Sequence, residues 1–118
     1  MVTVLVVDDS DFMRMRCISL LEELGHETVQ AVDGLQAVQR YKLLRPNVVL
    51  MDITMPNVDG LTALRQIMAI DPSARVAMVT AVDQQGVVME ALKAGAKAIV
   101  IKPYKPDKIK ATVEKLVA

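Results

Sequence analysis

The sequence predicts an α/β fold: one open parallel sheet with helices on both faces. Three observations carry this. Five short apolar runs alternate with five stretches of helical periodicity. Each parallel crossover is right-handed and needs a helix, and the alternation supplies one every time. The runs after Thr3 and after Asn47 are unbroken, as strands buried on both faces should be.

The first run, Val2 to Val7, is β-branched and stops at Asp8-Asp9-Ser10-Asp11, where Ser10 or Asp11 can cap a helix. Met13, Cys17, Leu20, Leu21 and Leu24 give that helix an apolar stripe, and Gly25 ends it. Glu27 to Ala31 is a less apolar strand, suited to an edge. Asp33-Gly34 turns into a helix from Leu35 to Leu44, with Leu35, Val38 and Tyr41 inward, stopped by Arg45-Pro46. The third strand runs to Asp52, and Pro56-Asn57-Val58-Asp59-Gly60 makes a turn. The next helix bears Leu61, Leu64, Ile67 and Met68 and breaks at Asp71-Pro72. Val76 to Thr80 is a strand, Gln85 to Ala94 a helix closed by Gly95, and Ala98 to Ile101 the last strand. Pro106 suits the first turn of a final helix with Ile109, Val113 and Leu116 inward.

Composition narrows the function. At 118 residues and 53% apolar content the chain suits one folded domain with ample material for a core, which speaks against disorder. Only 3% is aromatic, so the core is aliphatic, and eight Met make it adaptable. Fourteen basic and fourteen acidic residues cancel, which speaks against direct nucleic-acid binding. The single Cys17 cannot form an internal disulfide and fits a reducing compartment. No apolar run approaches the roughly 18 residues of a membrane span, and the start reads as a strand, not a signal peptide. A cytoplasmic chain with no membrane partner is expected, one domain over residues 1–118 with no room inside it for an appended effector.

Chemistry collects at the carboxyl ends of the strands, where open α/β sheets place their sites. Strand 1 brings Asp8 and Asp9, strand 3 Asp52, strand 4 Thr80 and strand 5 Lys102. Two strand orders are common for such sheets. The absence of G-x-G-x-x-G after strand 1 counts against the dinucleotide-binding order and leaves 2-1-3-4-5, with strands 1, 3, 4 and 5 inside or near the centre. Strands 1 and 3 are then neighbours and three carboxylates converge. Two unit charges about 5 Å apart repel by roughly 3 kcal/mol at an effective dielectric of about 20. A hard divalent ion relieves that repulsion, and Mg²⁺ takes carboxylates, waters and phosphate oxygens. The lack of a His or Cys cluster argues against a zinc site. The ion, a Lys and a hydroxyl together point to a phosphoryl group, and an aspartate can accept one as an acyl phosphate. Asp52, which ends the central strand before a turn, is the candidate acceptor.

These residues resemble the receiver domain of two-component response regulators, closest to the single-domain chemotaxis receivers. The marks are Val6-Val7-Asp8-Asp9-Ser10, Leu50-Met51-Asp52-Ile53-Thr54-Met55-Pro56 with Asp59-Gly60, Val79-Thr80-Ala81, Ala94-Gly95-Ala96 and Ile101-Lys102-Pro103. The resemblance covers the whole chain and implies a flavodoxin-like doubly wound (βα)5 domain. Chemotaxis receivers are known for the order 2-1-3-4-5, so order and resemblance are not independent. It implies a phosphorylation-dependent signalling switch in which Asp52 accepts a phosphoryl group from a histidine kinase. Asp8, Asp9, Asp52 and the Thr54 carbonyl hold Mg²⁺. Lys102 pairs with the phosphoryl oxygens, Thr80 swings in to bond them, and the small Ala81 keeps access open. A cis Lys102–Pro103 bond is implied, as is repacking of the face made by helix 4, strand 5 and helix 5 to control an output partner, a flagellar motor or another regulator. Thr54 and Asp83 stand where side chains tune the phosphoryl lifetime before autodephosphorylation.

Ile99 departs from the pattern, because such receivers carry Tyr or Phe there. The chain is no enzyme on external substrates: an Asp-nucleophile phosphatase needs a second acid where Thr54 stands. A flavodoxin would set Asp8-Asp9 against the flavin phosphate. The last part of the chain is rich in lysine, a solvated face that also suits acidic partner motifs.

Overall fold

The computed structural model describes residues 2–55, 58–81 and 85–118. The elements are β1 (Thr3–Val7), α1 (Asp11–Glu23), β2 (Glu27–Ala31), α2 (Gly34–Leu44), β3 (Val48–Asp52), α3 (Gly60–Ile70), β4 (Val76–Ala81), α4 (Gln85–Ala94), β5 (Ala98–Lys102) and α5 (Pro106–Val117). The strands form one parallel sheet in the order β2-β1-β3-β4-β5, as predicted. Pro56, Asn57 and Asp83 lie outside the described residues.

Side-chain alternation along the strands splits the core in two. Val4, Val6, Val48, Leu50, Val79 and Val100 face α1 and α5. Leu5, Val7, Val49, Met51, Val76 and Met78 face α2, α3 and α4. β3 is buried along its full length, which explains its continuous apolar run.

The helices start as the sequence suggests. Ser10 caps α1 by accepting from the Met13 N–H, Asp33 caps α2 and Asp59 caps α3. Gly25 and Gly95 follow α1 and α4 with φ of 87° and 116°, the left-handed conformation that favours glycine there.

Some expectations are corrected. The buried stripe of α1 is Arg14, Cys17, Ile18 and Leu21, while Leu24 at the C-cap is exposed. Met13 and Leu20 of the expected stripe pack against the same cluster while only partly buried, and the stripe is shifted so that Arg14 lies buried beside them. Leu35 is exposed, and α2 packs through Ala37, Val38 and Tyr41. β5 pairs only with β4 and is an outer strand, and Ile101 near its end is half exposed. The first strand begins at Thr3, and β4 and β5 each run one residue further than predicted, to Ala81 and Lys102.

Candidate functional site

Alternation also decides which polar strand ends meet. Asp8 continues the series Val4, Val6; Asp52 continues Val48, Leu50; Lys102 follows Val100. All three emerge on the α1/α5 side of the sheet edge. The Lys102 ammonium lies 3.1 Å from Asp8 Oδ2 and 3.2 Å from Asp52 Oδ2. Carboxylate oxygens of Asp8, Asp9 and Asp52 all lie within 4.8 Å of one another. Asp8 and Asp52 are buried, whereas Asp9 is exposed at the rim.

The loops fix these groups from the backbone. Asp8 Oδ1 accepts from the Ser10 N–H at 2.9 Å and Asp52 Oδ1 from the Thr54 N–H at 3.4 Å. The Asp8 N–H donates to the Ala31 carbonyl and the Ile53 N–H to the Val79 carbonyl, which carries the sheet pairing past the strand ends. At Gly60 the α3 backbone comes so close to β3 that a Cβ would stand 2.0 Å from the Asp52 carbonyl oxygen. The Gly60 N–H in turn donates to the Ile53 carbonyl. Glycine here is a matter of space, and it fixes the strand exit that carries Asp52.

Three carboxylates and one ammonium leave negative charge in excess. Burial raises the Asp52 carboxyl above its ordinary 3.8; Lys102 lowers it, Asp8 raises it, and the net direction is up. Burial pulls the Lys102 ammonium down, but Asp52 and Asp8 outweigh it and the net direction is also up. The causes differ: burial drives the Asp52 shift against the pull of Lys102, whereas the two carboxylates drive the Lys102 shift against burial. The oxygen-only donor set and uncompensated charge fit a hard divalent cation such as Mg²⁺.

The other predicted residues are placed as follows. Thr80 continues the series Val76, Met78 on the opposite face of the sheet, and its buried hydroxyl donates to the Ala81 carbonyl at 3.1 Å. It makes no hydrogen bond to Asp52 or Lys102. Ala81 is exposed at the end of β4, and Thr54 is exposed beside Asp52. Ile99 is half-buried against the α2–α4 core and lines an open groove of about 540 Å³ with Ile101, Pro103, Tyr104 and Lys108. The Lys102–Pro103 bond is cis.

Sequence reasoning missed two buried groups near the site. Arg14 reaches the Asp8 carbonyl, and Tyr104, two residues after Lys102, is buried in the α1/α5 cluster that also holds Cys17. The Asp11–Arg14 spacing marks an i,i+3 ion pair but not the burial of Arg14, and nothing in the periodicity marked Tyr104.

Residues 4–114 match the family described as "Response regulator receiver domain". The chain belongs to the response regulator receiver family. It is 46% identical over 116 residues to the chemotaxis protein CheY of Listeria monocytogenes, covering 98% of both chains. It is 43% identical over 114 residues to CheY of Thermotoga maritima, covering 96% of this chain and 95% of the relative. Among solved structures it resembles the CheY of a CheX–CheY–BeF3–Mg²⁺ complex from Borrelia burgdorferi, with a TM-score of 0.93 and 35% identity, covering 98% of this chain and 89% of that one. A receiver domain protein from Clostridium thermocellum shares the fold at a TM-score of 0.95. This receiver is therefore a CheY-like, phosphorylation-dependent signalling switch and not a conventional enzyme. Receivers bind Mg²⁺ at an acidic pocket, and the Asp8–Asp9–Asp52 cluster suits one. Membership implies a histidine kinase as phosphodonor and a downstream target. Among the described residues no helix is long and apolar enough to cross a membrane.

Proposed function

We propose that Asp52 is the phosphoacceptor, and that Asp8, Asp9, Asp52 and the Thr54 carbonyl hold Mg²⁺, with one receiver domain spanning residues 1–118. The supporting observation is the meeting of three carboxylates and Lys102 at one sheet edge. Bound Mg²⁺ would neutralise the carboxylates and the phosphoryl oxygens. An Asp52 oxygen attacks phosphorus, the bond from phosphorus to the kinase histidine nitrogen breaks, and the freed imidazole takes a proton. Lys102 exchanges Asp52 for a phosphoryl oxygen while keeping Asp8. Autodephosphorylation is attack by water on phosphorus, which returns the carboxylate and releases phosphate. Thr54 and Asp83 set its rate, and Ala81 leaves the approach open.

The Thr80 hydroxyl leaves the Ala81 carbonyl for a phosphoryl oxygen. That motion loads the end of β4, and the α4–β5–α5 face repacks to control an output partner, a flagellar motor component or another regulator, in the cytoplasm. With Ile99 in place of an aromatic ring, the output travels through backbone and α4 shifts. Amide hydrogen exchange with and without a small acyl phosphate and Mg²⁺ tests this. Altered exchange in α4 and β5 is expected; unchanged exchange there overturns the proposed output route.

A further inference from the structure

Arg14 is a charged side chain inside the α1 stripe, only 7% exposed. Long cations are seldom buried unless something holds them. Its guanidinium makes three bonds in three directions. Nη1 donates to the Asp8 main-chain carbonyl at 2.8 Å, Nε to Gln30 Oε1 at 2.9 Å, and Nη2 to the Asp11 carboxylate. It thus ties the end of β1 to the edge strand β2 and the first turn of α1. Asp8 and Asp9 are the residues held at that junction.

We propose that Arg14 is a positioning residue for cation binding: its planar fork clamps the Asp8 backbone so that the Asp8 and Asp9 carboxylates face Asp52. This rests on reading the acid cluster as the Mg²⁺ site. The clamp acts on the main chain because the Asp8 side chain is already engaged, Oδ1 by the Ser10 N–H and Oδ2 by Lys102. Without Arg14 the Asp8 carbonyl loses the donor that turns the loop inward.

Charge and geometry here predict opposite signs. As a nearby positive charge alone, Arg14 repels a divalent cation, and removing it should tighten binding. As a clamp it favours binding, and removing it should weaken binding. Arg14→Lys keeps the charge but has no rigid fork and cannot make all three bonds together. Groups that orient metal ligands typically change affinity by about 10- to 100-fold when replaced.

The test is calorimetric titration with Mg²⁺ of the parent, Arg14→Lys and Arg14→Met, each checked for folding by circular dichroism. Binding weakened about tenfold or more in Arg14→Lys, with Arg14→Met at least as weak, supports the clamp. Unchanged affinity in Arg14→Lys, or tighter binding in Arg14→Met, overturns it. A parent that binds no Mg²⁺ overturns the reading of the acid cluster and the clamp with it. If Arg14→Met fails to fold, Arg14→Lys alone decides.

Discussion

At Asp52, burial and the neighbouring Asp8 push the carboxyl up while Lys102 pulls it down, and the upward causes win. A group whose folded-state pKa is raised stabilises the fold below its unfolded value and loses that contribution as pH rises through the folded value. Stability without metal should therefore fall as pH climbs from about 4 toward neutrality. Asp52→Asn removes the charge at similar size. In EDTA at neutral pH it should raise the Tm by a few degrees, the scale of a change of about 1 kcal/mol in a domain of this size. A thermal melt checks this, and a lowered Tm would count against the excess-charge account. Cys17 gives a second residue-scale prediction. Burial is the main cause that lifts its thiol to about 11, against a smaller lowering by the Tyr104 hydroxyl. Iodoacetamide at neutral pH should leave Cys17 unmodified in the native chain and alkylate it in denaturant, read by intact mass. The acids and Lys102 were legible in the sequence because each interrupts an apolar strand at its carboxyl end. Arg14 was not, because helical periodicity assigns charged residues to the outer face.

At the scale of elements, the turn from β3 to α3 carries the tightest demand. A Cβ on Gly60 would collide with the Asp52 and Ile53 backbone, which cannot yield as a flexible side chain would. Gly60→Ala should destabilise by about 2–3 kcal/mol and displace Asp52, measurable by denaturant titration and by loss of phosphoryl labelling; a neutral outcome would mean the turn is looser than drawn. Thr80 sits on the other face of the sheet from Asp52, with its hydroxyl on the Ala81 carbonyl. Thr80→Ala should leave Mg²⁺ affinity within about twofold, as a group remote from the ligands should, yet blunt the exchange changes in α4 and β5. Strand boundaries were readable to within a residue because β-branched runs end in polar groups. The phase of α1 and the exposure of Leu35 were not, because apolar residues on several faces of one helix leave its rotation to be decided by tertiary packing.

Over the whole molecule, sheet order does what no local motif can. Placing β1 beside β3 sets Asp8 and Asp9 against Asp52, residues more than forty positions apart in the chain. The order was read from the alternation of elements and the missing glycine motif together with the resemblance, which is not independent of it. Loop detail was not readable, since it depends on close approaches such as Val58 to Gly34 that appear only once helices pack. Because the cation binds the folded chain and relieves its repulsion, Mg²⁺ at one hundred times its Kd should stabilise by about 2.7 kcal/mol. That corresponds to a Tm increase on the order of 10 °C, reversed by EDTA. The most direct test of Asp52 as a Mg²⁺-dependent phosphoacceptor is intact-mass spectrometry after incubation with acetyl phosphate. One phosphoryl group is expected on the parent with Mg²⁺, and none in EDTA or on Asp52→Asn; labelling that survives in Asp52→Asn, or that is indifferent to Mg²⁺, would contradict it.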